Sequence, residues 1–107
     1  MIAVTILYPR APSARFDFDY YLGTHMKRSV ALLGPHMRVI SVERGIDPGA
    51  PWPAPSYFVI CRFICESREA YAAAFLPHAE ELQSDIANYT DVTPVIQVSE
   101  YLPLVAD

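Results

Sequence analysis

The sequence predicts an α+β domain of order βαββαβ, in which a four-stranded antiparallel sheet carries two helices on one face. Three observations predict it. Four runs rich in β-branched and aromatic residues are spaced along the chain, at 2–9, 37–45, 57–65 and 93–103. Segments with helical rhythm lie between the first and second runs and between the third and fourth. Apolar residues make up 52% of only 107 residues. That surplus implies surface that one small core does not absorb.

The elements follow in order. "IAVTILYP" is a strand ended by Pro9. "RAPSAR" is a loop, after which Asp17 suits a helix N-cap and Asp19 the positive end of the helix. That helix runs to about Leu33, where Gly34-Pro35 stops it. Phe18, Tyr21, Leu22, His25, Met26, Ser29, Val30 and Leu33 form its expected inward stripe. Gly23 inside it suggests a close backbone approach. "MRVISVERG" alternates as a second strand, and "IDPGAPWPAPS" is a Pro-rich loop with Trp52 as a lid or a packed anchor. "YFVICRFIC" is a third strand with apolar residues on both faces. Ser67 caps the helix "REAYAAAF", and beyond Pro77 "HAEELQSDIANY" offers Leu82, Ile86 and Tyr89 as an inward stripe. "TPVIQVSEYLP" is the last strand. This is the split-βαβ, ferredoxin-like pattern, a single domain over residues 1–107. A sheet apolar on both faces needs cover on both, so two copies pairing through their open faces would form a dimeric α/β barrel.

Composition narrows the function classes. The formal charge is −4 with no basic run, which argues against nucleic acid. No apolar run is long enough to span a membrane, and "MIAVTILYPR" reads as a strand rather than a leader. Cys61 and Cys65 stand four apart on one strand, roughly 13 Å, too far for a disulfide. Free thiols fit a reducing compartment, and the expected location is cytoplasmic. His25, His36 and His78 have no metal-ligand spacing, and no phosphate loop, nucleophile elbow or dinucleotide fingerprint is present. The expectation is therefore no metal and no cofactor.

Several short motifs, "LYP" at 7–9, "FDxxYYxxxH" at 16–25, "FxxxEAYAAAF" in the 63–75 region and "DIANYTDVTPVIQVSE" at 85–100, together resemble the EthD family of the dimeric α/β-barrel superfamily. The resemblance runs from about residue 2 to 101. The family's name comes from bacterial degradation of ethyl tert-butyl ether. The wider superfamily includes cofactor-free monooxygenases, muconolactone isomerases, polyketide cyclases and haem enzymes, so the fold implies a menu rather than a reaction. The resemblance implies a small apolar pocket between sheet and helices, with His25, Tyr21, Tyr8, Asp85, Asn88 and Gln97 as its polar groups.

His25 is the leading candidate, since imidazole accepts or donates a proton near neutral pH. Tyr21 shares its helix face by i, i+4 spacing, and Asp85 is the acid to orient it. Tyr8, Tyr20, Arg62, Asn88, Gln97 and Trp52 are candidate substrate contacts. Each has a structural reading as well: packing tyrosines, a hydrogen-bonded helix histidine, a turn asparagine, a surface carboxylate. Three functions remain open at this point. One is a homodimeric, cofactor-free proton-transfer enzyme or monooxygenase acting on an apolar, aromatic or ketone-bearing metabolite. Another is a non-catalytic ligand-binding or accessory protein of a degradation pathway. The third is a purely structural dimer module.

Overall fold

The computed structural model describes residues 1–104. Its strands are β1 (Ile2–Pro9), β2 (Arg38–Arg44), β3 (Tyr57–Cys65) and β4 (Val95–Glu100). They form one antiparallel sheet in the order β2-β3-β1-β4, the ferredoxin-like arrangement. One connection holds α1 (Phe18–Tyr20), a π-helical turn (Tyr21–His25) and α2 (Met26–Leu33), which follow without a break. The other holds α3 (Arg68–Phe75), a 3₁₀ turn (Leu76–His78), α4 (Ala79–Ser84) and a second 3₁₀ turn (Asp85–Asn88).

The helix ends follow the sequence signals. The Asp17 carboxylate accepts from the Tyr20 backbone N–H at 3.0 Å, and the Ser67 hydroxyl accepts from that of Ala70 at 3.0 Å. Gly34, at φ 78°, ends α2 in a conformation that favours glycine.

Two features of the first helix differ from expectation. Tyr21, His25, Met26, Ser29 and Leu33 are buried, but Leu22 and Val30 are 51% and 43% exposed. The π turn, closed by Met26 N–H on Tyr21 O, fits an extra residue into the turn and narrows the inward stripe. Gly23 lies in that turn with open space where a Cβ would stand, so no close approach explains it. The close approach is at Gly45, where a Cβ would collide with the Tyr57 carbonyl and the Pro55 ring.

The strands put the core on the helix side. Val4, Tyr8, Val59, Cys61, Phe63 and Cys65 join Tyr21, Met26, Leu33, Leu82 and Tyr89 in one cluster. Residues paired across the ladder share a face, so Ala3, Thr5 and Leu7 lie with Ile64, Arg62 and Ile60 and with Ser99, Gln97 and Val95 on the other side. Among the described residues no helix covers that face. Both cysteines are buried free thiols. Among the described residues no helix is long and apolar enough to cross a membrane.

Candidate functional site

The chain clamps the start of its first helix to the end of its last. Phe16 and Thr90 form an isolated β-bridge, and Asp17 N–H donates to Tyr89 O at 2.7 Å. The Arg15 guanidinium donates to Ala87 O at 2.7 Å, and the Thr90 hydroxyl to Arg15 O at 2.8 Å. This clamp is built by the segment "DIANYTD". It sets Asp85, Asn88 and Tyr89 against the face of the first helix that carries Tyr20, Tyr21 and His25.

His25 Nδ1 lies 2.9 Å from Asp85 Oδ2, with both side chains buried. The other carboxylate oxygen accepts from the Tyr20 hydroxyl at 2.6 Å and from Asn88 Nδ2 at 3.0 Å. The Arg28 guanidinium stands 3.6 Å from it. Burial alone would raise the Asp85 pKa, but the hydrogen bonds from Tyr20, Asn88 and His25 outweigh it and hold the carboxyl at about 2. Burial pushes the His25 pKa below its ordinary 6.5, against the pull of Asp85. At neutral pH the pair is a carboxylate and a neutral imidazole. A carboxylate only accepts, so Nδ1 carries the proton and Nε2 is the base.

On its other side His25 borders a cavity of about 280 Å³. Val4, Ile6 and Tyr8 of β1, Phe63 of β3, Ile96 of β4, the inner face of the first helix and Tyr71, Phe75, Leu82 and Ile86 form most of its wall. Leaving that volume empty in a core would forgo about 7 kcal/mol at most, an upper bound because the cavity is partly open to solvent. Even a fraction of that is large for a small domain. The chemistry of the cavity is mostly apolar with a few convergent polar groups, as small-molecule sites are.

Aromatic rings hold His25 in place. Tyr21 stacks beside it, with centroids 5.7 Å apart and an interplanar angle of 18°, and the Tyr89 ring lies at 4.6 Å. The Tyr89 hydroxyl reaches Nε2 at 3.3 Å and the Tyr8 hydroxyl at 2.7 Å. Burial pushes the Tyr8 pKa up to about 12 and the Tyr21 and Tyr89 values higher still. All three are neutral phenols. Among the described residues no buried side-chain nitrogen or oxygen lacks a partner.

The structure divides the sequence candidates into four groups. His25, Tyr21 and Tyr8 line the cavity. Asp85, Tyr20 and Asn88 meet behind His25 rather than in the cavity, where Tyr20 and Asn88 brace the carboxylate. Arg62 and Gln97 both pair with Thr5 on the open sheet face, on the opposite side of the sheet from the cavity. Strand parity puts them there, since Cys61 and Phe63 face the helices. Trp52 is 67% exposed, and no residue of the Pro-rich loop borders the cavity, which gives the loop no lid position.

Sequence reasoning passed over Tyr89, which was read only as a core residue. The available signal was its place four residues after Asp85, together with the need of a buried phenol for a partner. Among the described residues no group of three His, Cys, Asp or Glu side chains could hold a metal ion.

Comparisons with known proteins agree with this fold. A search of curated proteins returns no match. An EthD-like protein from Ralstonia eutropha JMP134 is 42% identical in its crystal structure, with 92% of this chain and 89% of that one covered and a TM-score of 0.83. An ethyl tert-butyl ether D (EthD) family protein from Bacillus halodurans C-125 is 18% identical over 95% of this chain and 99% of its own. Its TM-score of 0.72 speaks for the fold alone. The family model described as the EthD domain matches residues 12–93, and the chain belongs to the EthD family.

Proposed function

We propose that the protein is a homodimer whose subunits each take a small apolar metabolite, aromatic or ketone-bearing, and move a proton on it without a cofactor. His25 is the base and Asp85 orients it. The observation that carries this reading is the two-sided position of His25. Nδ1 rests on a carboxylate outside the cavity, and the ring borders the cavity itself. Buried dyads of this kind fix the tautomer and stabilise the imidazolium that forms on proton uptake. Isomerisation, cyclisation and decarboxylation all run through such a step, and deprotonation of a phenol before attack on oxygen is the monooxygenase variant. The character of the open sheet face supports the dimer, because Leu7, Ile40, Ile60 and Val95 leave that face apolar around Arg62 and Gln97. The free thiols of Cys61 and Cys65 suit a cytoplasmic protein.

A second reading is a non-catalytic carrier or accessory protein, as in a degradation pathway. The Tyr89 hydroxyl at Nε2 favours it, because it occupies the one lone pair with which His25 could act directly on a ligand. Deuterium uptake by 2-tetralone in D₂O separates the two. The enzyme reading expects exchange well above the buffer rate, falling to background in His25→Ala while the dimer persists in native mass spectrometry. Exchange at the buffer rate in the wild type, or unchanged in the variant, would leave the carrier.

A further inference from the structure

The hydrogen bonds of the site have forced directions. Asp85 accepts, so His25 donates from Nδ1 and accepts at Nε2. Tyr89 then donates to Nε2, since otherwise a buried acceptor would go unpaired. A phenol has one hydrogen. With that of Tyr89 spent on His25, the 2.7 Å bond between the two phenols must be donated by Tyr8. Tyr89 is fully buried and does not border the cavity, whereas Tyr8 does. The chain of donors therefore runs from Tyr8 through Tyr89 and His25 to Asp85, and leaves a lone pair on the Tyr8 oxygen as its inner end.

From this geometry we infer that Tyr8, of the polar residues lining the cavity (with His25, Tyr21, Ser29, Gln83 and Thr93), is the one that accepts a hydrogen bond from the ligand, and that the favoured ligand is an aromatic or enolic compound presenting a hydroxyl rather than one presenting only a carbonyl. The inference rests on the cavity being a ligand site, as proposed above. Tyr89 is then a positioning residue that connects ligand and base. The ligand hydroxyl gives its proton to the Tyr8 oxygen as Tyr8 gives its own to Tyr89 and Tyr89 its own to Nε2. The ligand leaves as an oxyanion, both phenols end neutral, and the charge rests on an imidazolium beside Asp85. This answers the objection that Tyr89 blocks Nε2, because the block is the conduit.

Protonation of His25 reverses the directions on its Nε2 side, while Nδ1–H goes on donating to Asp85. Nε2–H then donates to Tyr89, Tyr89 to Tyr8, and Tyr8 to the ligand, so a carbonyl becomes the better partner. The groups that set where this happens are Asp85 from the 3₁₀ turn, Tyr20, Tyr21 and Arg28 from the first helix, Tyr89 from the segment after Asp85, Tyr8 from β1 and, through Tyr21, Cys61 from β3.

Calorimetric titration with 1-naphthol, 1-methoxynaphthalene and 1-tetralone tests the inference. At pH 7.5 the wild type is expected to prefer the naphthol over its methyl ether by about five- to tenfold, the worth of one hydrogen bond. Tyr8→Phe is expected to erase that preference and keep affinity for the ether. Tyr89→Phe frees the Tyr8 hydrogen and is expected to shift preference to the tetralone, which a merely structural residue would not do. The wild type supplies an arm that needs no variant: on acidification from pH 7.5 the tetralone gains on the naphthol as His25 takes up its proton, which burial delays to below the ordinary 6.5. Equal affinity for naphthol and ether in the wild type would overturn the acceptor role of Tyr8 and leave the cavity as a ligand site. A preference that survives Tyr8→Phe would overturn the assignment to that residue. No binding of any of the three would overturn the inference together with the ligand-site reading beneath it.

Discussion

The two faces of the sheet handle polar groups in opposite ways. On the helix side the buried groups satisfy one another across long stretches of chain: His25 with Asp85, Tyr8 with Tyr89, and Tyr20 with Asp85. On the other side Arg62 and Gln97 stand exposed among Ala3, Leu7 and Val95, with the Gln97 amide donating to the Ser99 hydroxyl along its own strand. A satisfied buried network is costly to disturb and specifies one geometry. Exposed polar groups on an apolar sheet specify little until something covers them. The polar groups of the helix face are therefore satisfied within this chain, whereas under the proposed dimer the open face is covered by a second copy. Mutations should cost folding stability on the first face and association on the second.

Asp85→Ala should have the largest effect on stability. It strips the acceptor from His25 Nδ1, the Tyr20 hydroxyl and Asn88 at once. A loss of about 3 kcal/mol is expected in urea unfolding, the usual result of leaving buried donors unpaired. A loss below about 0.5 kcal/mol, the range of ordinary surface changes, would break the claim that this network is finished within the chain.

A pair of substitutions on β4 sharpens the contrast. Val95 pairs with Leu7 on the open face, and Val98 pairs with Val4 on the helix face. The two are similarly exposed in the single chain, at 53% and 44%. If open faces pair, Val95→Glu should weaken the dimer by about a hundredfold, because it buries an unpaired charge. Val98→Glu should leave the dimer in place. Sedimentation at graded concentration reads both, and equal behaviour would remove the open face as the pairing surface.

Acid should act on the helix face alone, in two windows. The folded-state pKa of His25 lies below its unfolded 6.5, so its contribution is whole above 6.5 and falls as pH drops through the folded value. The carboxyl of Asp85, at about 2 folded against 3.8 in model compounds, keeps its contribution above 3.8 and loses it toward pH 2. Melting temperature should therefore fall in two stages on acidification. His25→Gln should remove the upper stage and spare much of the lower one, and an upper stage that persists unchanged in that variant would assign it elsewhere.

Much of this was legible in the chain. Strand and helix order followed from periodicity and from Gly34, Pro35 and Ser67 as punctuation. The convergence of His25 and Asp85 was legible because each sits on or beside an inward stripe. Other features were not. A π turn leaves no mark in hydrophobic rhythm, so Leu22 and Val30 read as buried. Parity put Arg62 on the opposite side from Cys61 and Phe63, but nothing in a strand apolar on both sides said which side the helices cover. The polar character of Tyr20 and Asn88 was visible, while their place behind the imidazole depends on the clamp between Arg15–Asp17 and Ala87–Asp91, a contact between distant segments.

The smallest effect is expected at Arg28, and it tests how local the helix-face network is. Its guanidinium stands 3.6 Å from Asp85, beyond hydrogen-bond distance, and its side chain is 41% exposed. Three closer donors already satisfy the carboxylate. A partly solvated charge at that range contributes within about 0.5 kcal/mol, so Arg28→Ala should hardly move the unfolding midpoint. Its electrostatic effect should still register on the histidine, because removing a nearby positive charge eases protonation of His25. An upward drift of the His25 titration in NMR, with stability unchanged, would place Arg28 outside the finished network but inside its field. A loss of stability like that of Asp85→Ala would instead extend the network to the solvent edge, and the boundary of the satisfied network would have to be redrawn there.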